Sequence, residues 1–257
     1  MGGRMSPFIA GLGAQTLSDE AMRGMVGMLM IGSVGVIGLI VGLAFFAMYR
    51  LTPRLGRSEH ASVDLYWLPL GAGDASHCVR WNGRIYEALA AFHERRQTRD
   101  LYHSALEVTL GTDRFMIEMA PVWGNTHDDR GVVSGGSVGI PWLGHSRFFR
   151  YEVRRWRNGR IPDISEAVAS PQRLSSDIVR AERVLELVPA FPTVTWGRDE
   201  LHTGDMWNSN SLTSWLLARS GHETELVEPP AHGRAPGWSG GLVLAARQAE
   251  LGGARAA

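Results

Sequence analysis

The apolar positions of this chain fall into one long block followed by many short ones. Residues 24–49 (GMVGMLMIGSVGVIGLIVGLAFFAMY) form an uncharged run of 26. About 20 helical residues cross a roughly 30 Å hydrocarbon core, so the run spans a bilayer with some tilt. A cleaved signal peptide fits less well, because its apolar stretch would be only about 7–15 residues. Asp19 and Glu20 also stand beside Arg23 just ahead of the run, and no A-x-A site follows it. The expected order is a short tail (1–23), one transmembrane helix (24–49) and an Arg/Pro/Gly linker (50–62).

Beyond the linker the pattern shortens to strand and helix periods. Residues 63–68 read as a first strand. The stretch 78–92 is ambiguous: Asn82-Gly83 signals a hairpin, whereas Ile85, Ala88, Leu89 and Phe92 are spaced for a helix face, which favours a helix over about 84–95. The clearest hairpin joins 102–110 to 115–120. A four-residue loop would pair Leu110 with Phe115, Val108 with Ile117 and Leu106 with Met119, leaving His103, Glu107 and Glu118 on the opposite face. Residues 124–144 read as loop, and 147–156 as a strand that turns at Asn158-Gly159. A helix is expected from Ser170-Pro171 through Leu174, Ile178, Ala181, Leu185 and Val188. A capped helix follows at 208–221, with Leu212, Trp215 and Leu216 inward and Gly221 as its stop. The tail 248–257 reads as frayed. Strands followed by helices, without regular βαβ alternation, give an α+β class for a single soluble domain over 63–247.

Composition narrows the function. Twenty-six basic residues balance 26 acidic ones, and from Arg50 onward the two still balance, so the clustered positive charge of a nucleic-acid binder is missing. One cysteine excludes an internal disulfide and a Cys-rich zinc site. Every basic residue is arginine, which excludes Schiff-base and phosphate-loop lysine chemistry. No phosphate loop, dinucleotide fingerprint or H-E-x-x-H motif occurs, so no cofactor is expected. Arg50, Arg54 and Arg57 after the apolar run outnumber Arg4 and Arg23 before it, which favours a cytoplasmic domain on a single-pass membrane protein. Gly35, Gly38 and Gly42 fall at helical spacing, and Gly38 and Gly42 form a G-x-x-x-G pair suited to a homodimer within the bilayer. His127-Asp128-Asp129 reads as a polar loop ahead of a metal site. The arginines of 147–160 interleave with Phe148, Phe149, Tyr151 and Trp156, which suits a solvated strand face or, near an anchored domain, anionic lipid headgroups.

Two segments carry candidate chemistry: a histidine opening a hairpin strand and a polar tetrad opening a helix, where free N–H groups and the helix dipole act on whatever side chain sits there. Tyr102-His103-Ser104-Ala105-Leu106-Glu107-Val108 and Asn208-Ser209-Asn210-Ser211-Leu212 resemble, in that order, the two motifs of the circularly permuted NlpC-like branch of the papain fold. That branch includes the PPPDE peptidases and the lecithin:retinol acyltransferase family. Glu118-Met119-Ala120-Pro121 is similar to the segment carrying the third polar residue of the acyltransferase group. The resemblance implies a permuted papain-like antiparallel sheet packed on helices. It also implies a hydrolase or acyltransferase acting on an amide or ester, with Ser209 as nucleophile, His103 as base and Glu118 as its orienting residue.

This sequence departs from the family pattern by placing Ser209 where the family has cysteine. In the expected register Glu118 faces Glu107, about 13 Å along the strand from His103, so a bulge or a different register is needed for it to orient the histidine. Cys78 is an alternative nucleophile in an unpermuted layout. Each residue also has a structural reading: Ser209 as a helix N-cap, His103 as a hydrogen-bonding strand residue and Glu118 as a structural carboxylate. The chain is therefore expected to be a membrane-anchored papain-like enzyme, a catalytically degenerate binding or scaffold module of the same fold, or an unrelated α+β domain.

Overall fold

Alternation of buried and exposed side chains organises the described residues around one antiparallel sheet. The computed structural model describes residues 60–72, 78–122, 130–161 and 163–256, with the backbone alone at 78, 79, 82 and 254–256. The expected transmembrane helix with Gly35, Gly38 and Gly42, and the His127-Asp128-Asp129 loop, lie outside the described residues, as does the side chain of Cys78. Among the described residues no helix is long and apolar enough to cross a membrane.

The strands are β1 (Ala61–Pro69), β2 (Tyr102–Leu110), β3 (Asp113–Pro121), β4 (Val132–Ser137), β5 (Arg150–Arg157) and β6 (Gln172–Ser175). They pair in the order β4-β5-β3-β2-β1-β6, with neighbours antiparallel. The helices are α1 (Cys78–His93), α2 (Ile178–Leu187), α3 (Ser209–Arg219) and α4 (Trp238–Ala256). The α+β class is as expected.

One face of the sheet holds the main core. Val63, Leu65 and Trp67 of β1, Tyr102, Leu106 and Val108 of β2, and Ile117 and Met119 of β3 pack with Val184 of α2 and with Leu212, Trp215 and Leu216 of α3. Phe191 stacks on Trp207 at 4.8 Å between ring centres and meets Trp215 edge-on. The opposite face carries a smaller cluster of Leu68, Ala105, Met116 and Ile161, which the segment after β5 covers with Ile164. Because side chains alternate along a strand, every residue of β2 belongs to one of these faces.

The β2–β3 hairpin is present in a register two residues tighter than the apolar pattern suggests. Leu106 pairs with Ile117, Val108 with Phe115 and Leu110 with Asp113, around a two-residue turn at Gly111-Thr112. A shift of two keeps every side chain on its face, so the apolar pattern alone cannot distinguish the two registers. Two further elements differ from expectation. Residues 170–175 enter β6 rather than a helix, and α2 starts only at Ile178, where Asp177 accepts hydrogen bonds from the Val179 and Arg180 amides. The C-terminal region forms α4, and its Gln248 accepts a hydrogen bond from Trp215 Nε1 at 2.9 Å. Gly241 lets α4 approach α3 closely, since a Cβ there would collide with Ser214 Oγ and the Ser211 carbonyl.

Helix α1 is amphipathic in the inverted sense. Gly83, Glu87 and Ala91 are buried, while Trp81, Ile85, Leu89 and Phe92 on the other side are exposed. Full burial of each such side chain would be worth about 1.5–3 kcal/mol, which this helix forgoes. Polar contacts hold it instead: Arg96 and Arg234 donate to the buried Glu87 carboxylate, which also accepts from the Arg99 amide. Burial alone would raise the Glu87 pKa, but these hydrogen bonds and charges outweigh it and hold the carboxyl below its ordinary value.

Candidate functional site

The tetrad opening α3 is consumed by structure, apart from one hydroxyl. Asn208, not Ser209, is the N-cap: its Oδ1 accepts from the Asn210 amide at 2.9 Å and the Ser211 amide at 3.3 Å, while Ser211 Oγ accepts from the Asn208 amide. This is a capping box with serine in the role usually taken by Glu or Gln. Asn210 reaches across to the sheet. Its Oδ1 accepts from Ser104 Oγ at 2.9 Å, and its Nδ2 donates to the carbonyls of Tyr102 at 3.0 Å and Pro236 at 2.8 Å. Ser209 occupies the first helical position, 3% exposed, and its hydroxyl makes no hydrogen bond to a described residue.

His103 lies on the other side of the sheet. It pairs with Leu68 of the smaller cluster, and its neighbours Tyr102 and Ser104 are the residues that face α3. Its Nε2 sits 3.6 Å from Asp163 Oδ2, in the segment covering that second face. No hydrogen bond joins His103 to Ser209, and strand alternation turns His103 to the face away from the one on which Ser104 meets α3. The expectation that Ser209 caps the helix is likewise replaced by Asn208.

Glu118 does share the His103 face, as the strand pattern implies, but it is committed elsewhere. Arg154, only 2% exposed, donates from Nη1 to Glu118 Oε1 at 2.6 Å and from Nε to Glu152 Oε2 at 3.1 Å. Arg130 closes the row on Glu152 with bonds of 2.9 and 3.1 Å. Two arginines and two carboxylates thus alternate across β3, β5 and the approach to β4. An arginine in the middle of β5 is therefore an internal counter-ion rather than part of a solvated face. The cross-strand clash of Glu107 and Glu118 does not arise either, because Glu107 pairs with Met116.

No known protein family matches this chain, and neither does any curated protein or solved structure. Its chemistry is therefore carried by its own geometry. That geometry holds three polar joints that sequence reasoning missed: Ser104–Asn210, His103–Asp163 and Glu118–Arg154. The Asn208–Ser211 spacing was a legible capping signal. The strand position of Ser104, one residue from His103, was the clue that the helix meets the neighbour of the histidine.

A second histidine is built into structure. His222, 8% exposed, has Nδ1 at 2.9 Å from Ser220 Oγ and Nε2 at 3.1 Å from Ser175 Oγ, joining the end of α3 to β6. Burial lowers its pKa below 6.5, because the charged ring would lose hydration, and nearby Arg180 adds to the effect. The unfolded chain therefore takes up a proton at higher pH than the folded one. Stability contributed by neutral His222 is complete above the unfolded value and falls as pH drops from there towards the lower folded value. Melting temperatures measured between neutral and mildly acidic pH are expected to decline in this window, with the decline flattened in His222→Gln. An unchanged slope in the variant would assign the decline to other groups.

Proposed function

We propose that this chain is a membrane-tethered, non-catalytic binding or scaffold module whose six-stranded domain presents a surface rather than a reactive centre. The reading rests above all on the positions of His103 and Ser209 on opposite faces of the sheet. A serine hydroxyl is a weak nucleophile without an adjacent base. Ser209 is also buried, with 3% of its surface exposed, which disfavours attack on a carbonyl substrate. The papain-like resemblance contributes the order of hairpin and capped helix, and Asn210 joins these two elements through hydrogen bonds in place of a catalytic pair. The apolar run at 24–49 supplies the tether, and its flanking arginines favour a domain on the cytoplasmic side.

The test is chemical. The purified full chain is expected to remain unlabelled by a fluorophosphonate probe, and Ser209→Cys to remain unlabelled by a thiol-directed acyl electrophile under native conditions. Ser209→Ala is expected to leave the melting temperature within about two degrees of the parent, since removing a hydroxyl that makes no hydrogen bond to a described residue costs under about 0.5 kcal/mol. Fluorophosphonate labelling that disappears in both Ser209→Ala and His103→Ala would overturn the non-catalytic reading and restore the enzyme.

A further inference from the structure

The inverted helix α1 has a partner of definable chemistry. Its outward stripe is Trp81, Ile85, Leu89 and Phe92, with Phe92 85% exposed. These positions recur at helical spacing on the side opposite Gly83, Glu87 and Ala91, so they form one face rather than scattered contacts. The only acid of the helix, Glu87, is turned inward, and Arg84 is exposed at the rim of the stripe. Aromatic and aliphatic side chains on one side with arginine at the border are the composition of a helix that lies in a membrane interface.

A second cluster of the same kind stands at the same end of the sheet. The segment between β4 and β5 exposes Trp142 and Phe148 next to the exposed Arg147 and Arg150. β1 ends and β2 begins at this end, bracketing α1, and β4 ends and β5 begins there too, as Pro69↔Tyr102 and Ser137↔Arg150 show. A protein partner would need two matching sites for these clusters. A broad surface with an apolar interior and anionic headgroups takes both at once. The ten linker residues 50–59 extend to at most about 35 Å, more than the roughly 30 Å length of a nine-residue strand, so a chain anchored at 24–49 can bring this end to the bilayer. Tethering raises the effective concentration enough that a modest patch suffices.

We infer that the outward face of α1, seconded by the aromatic loop before β5, docks on the anionic interface of the membrane to which the chain is tethered. The inference rests on the tether of the proposed function, and it gives that module its surface: the bilayer itself. Docking adds a second point of attachment to the lipid.

The experiment uses the full chain with Leu89→Cys in a Cys78→Ser background, labelled with an NBD fluorophore and reconstituted into phosphatidylcholine vesicles with or without phosphatidylglycerol. The expected result is a blue-shifted emission, quenched severalfold by lipids brominated on the upper acyl chain. Quenching should be stronger with phosphatidylglycerol, weaker at high salt, and lost when Phe92→Asp is added. A probe at Phe148→Cys is expected to behave in the same way. Emission characteristic of water and unquenched in every lipid overturns the inference, and so does a blue shift that depends on protein concentration but not on brominated lipid, which assigns the stripe to a second copy. Retention on vesicles through an alkaline carbonate wash reports the tether separately. Retention without quenching keeps the tether and overturns docking, whereas quenching without retention keeps docking and overturns the tether.

Discussion

Arg154→Met is expected to lower the stability of the domain by about 3–5 kcal/mol, the cost of removing one partner of a buried ion pair and stranding the other. The arginine is almost fully enclosed and donates to both Glu118 and Glu152, which are themselves largely covered. The two carboxylates do not suffer equally. Glu152 retains Arg130, whereas Glu118 loses the only cation it pairs with among the described residues. Adding Glu118→Gln to Arg154→Met should therefore recover more stability than adding Glu152→Gln. Urea midpoints followed by tryptophan fluorescence, compared at constant slope, would measure both effects. The pH dependence has a definite sign. Burial alone would raise the Glu152 pKa, but hydrogen bonds from Arg130 and Arg154 outweigh it and hold the carboxyl below 4.5. This contribution is complete above the unfolded carboxyl pKa and is lost as pH falls through the lower folded value. A loss of under about 1 kcal/mol in Arg154→Met would mean that the row is screened like an exposed pair.

The sheet was legible where the main core takes every second side chain. β1, β2 and β3 place Val63, Leu65, Trp67, Leu106, Val108, Ile117 and Met119 on that face, so their positions followed from apolar period, and only the hairpin register escaped because a two-residue shift preserves that period. β4 was hidden for the opposite reason. Its Gly135 and Gly136 carry no apolar signal, and their smallness serves Tyr151, whose hydroxyl oxygen would meet a Cβ at Gly136 at 2.7 Å and whose ring carbons would meet it at 2.8 Å. α1 showed its helical spacing but not its direction: the apolar stripe that normally turns inward faces out, because buried Glu87 holds the other side. Pattern reveals that a helix is amphipathic but not which side finds the core. The candidate site failed on the same question of direction. The strand that carries His103 does meet the α3 tetrad at one end of the sheet, but alternation gives the helix to Ser104 and turns His103 towards Asp163.

Asn210→Ala is expected to cost roughly 3 kcal/mol, because it removes three buried hydrogen bonds and leaves polar groups unpaired at about 1–3 kcal/mol each. Ser104 Oγ loses its acceptor and the Tyr102 carbonyl its side-chain donor, whereas the Pro236 carbonyl still accepts from Asn208 Nδ2 at 2.8 Å. The amide orientation follows from these partners, since two carbonyls need the NH2 and a hydroxyl needs the oxygen. Asn210→Asp should then be worse than Asn210→Ala at neutral pH. It would place a carboxylate oxygen against the Tyr102 and Pro236 carbonyls in a buried site, and the excess should shrink as acid protonates the new group. The combination Ser104→Ala with Asn210→Ala should cost less than the sum of the single changes, because each single change orphans what the other removes. An Asn210→Ala chain as stable as the parent would mean that apolar packing alone seats α3 on β2. Loss of stability in the order Asp, then Ala, then Ser104→Ala would establish Asn210 as the polar joint between α3 and β2.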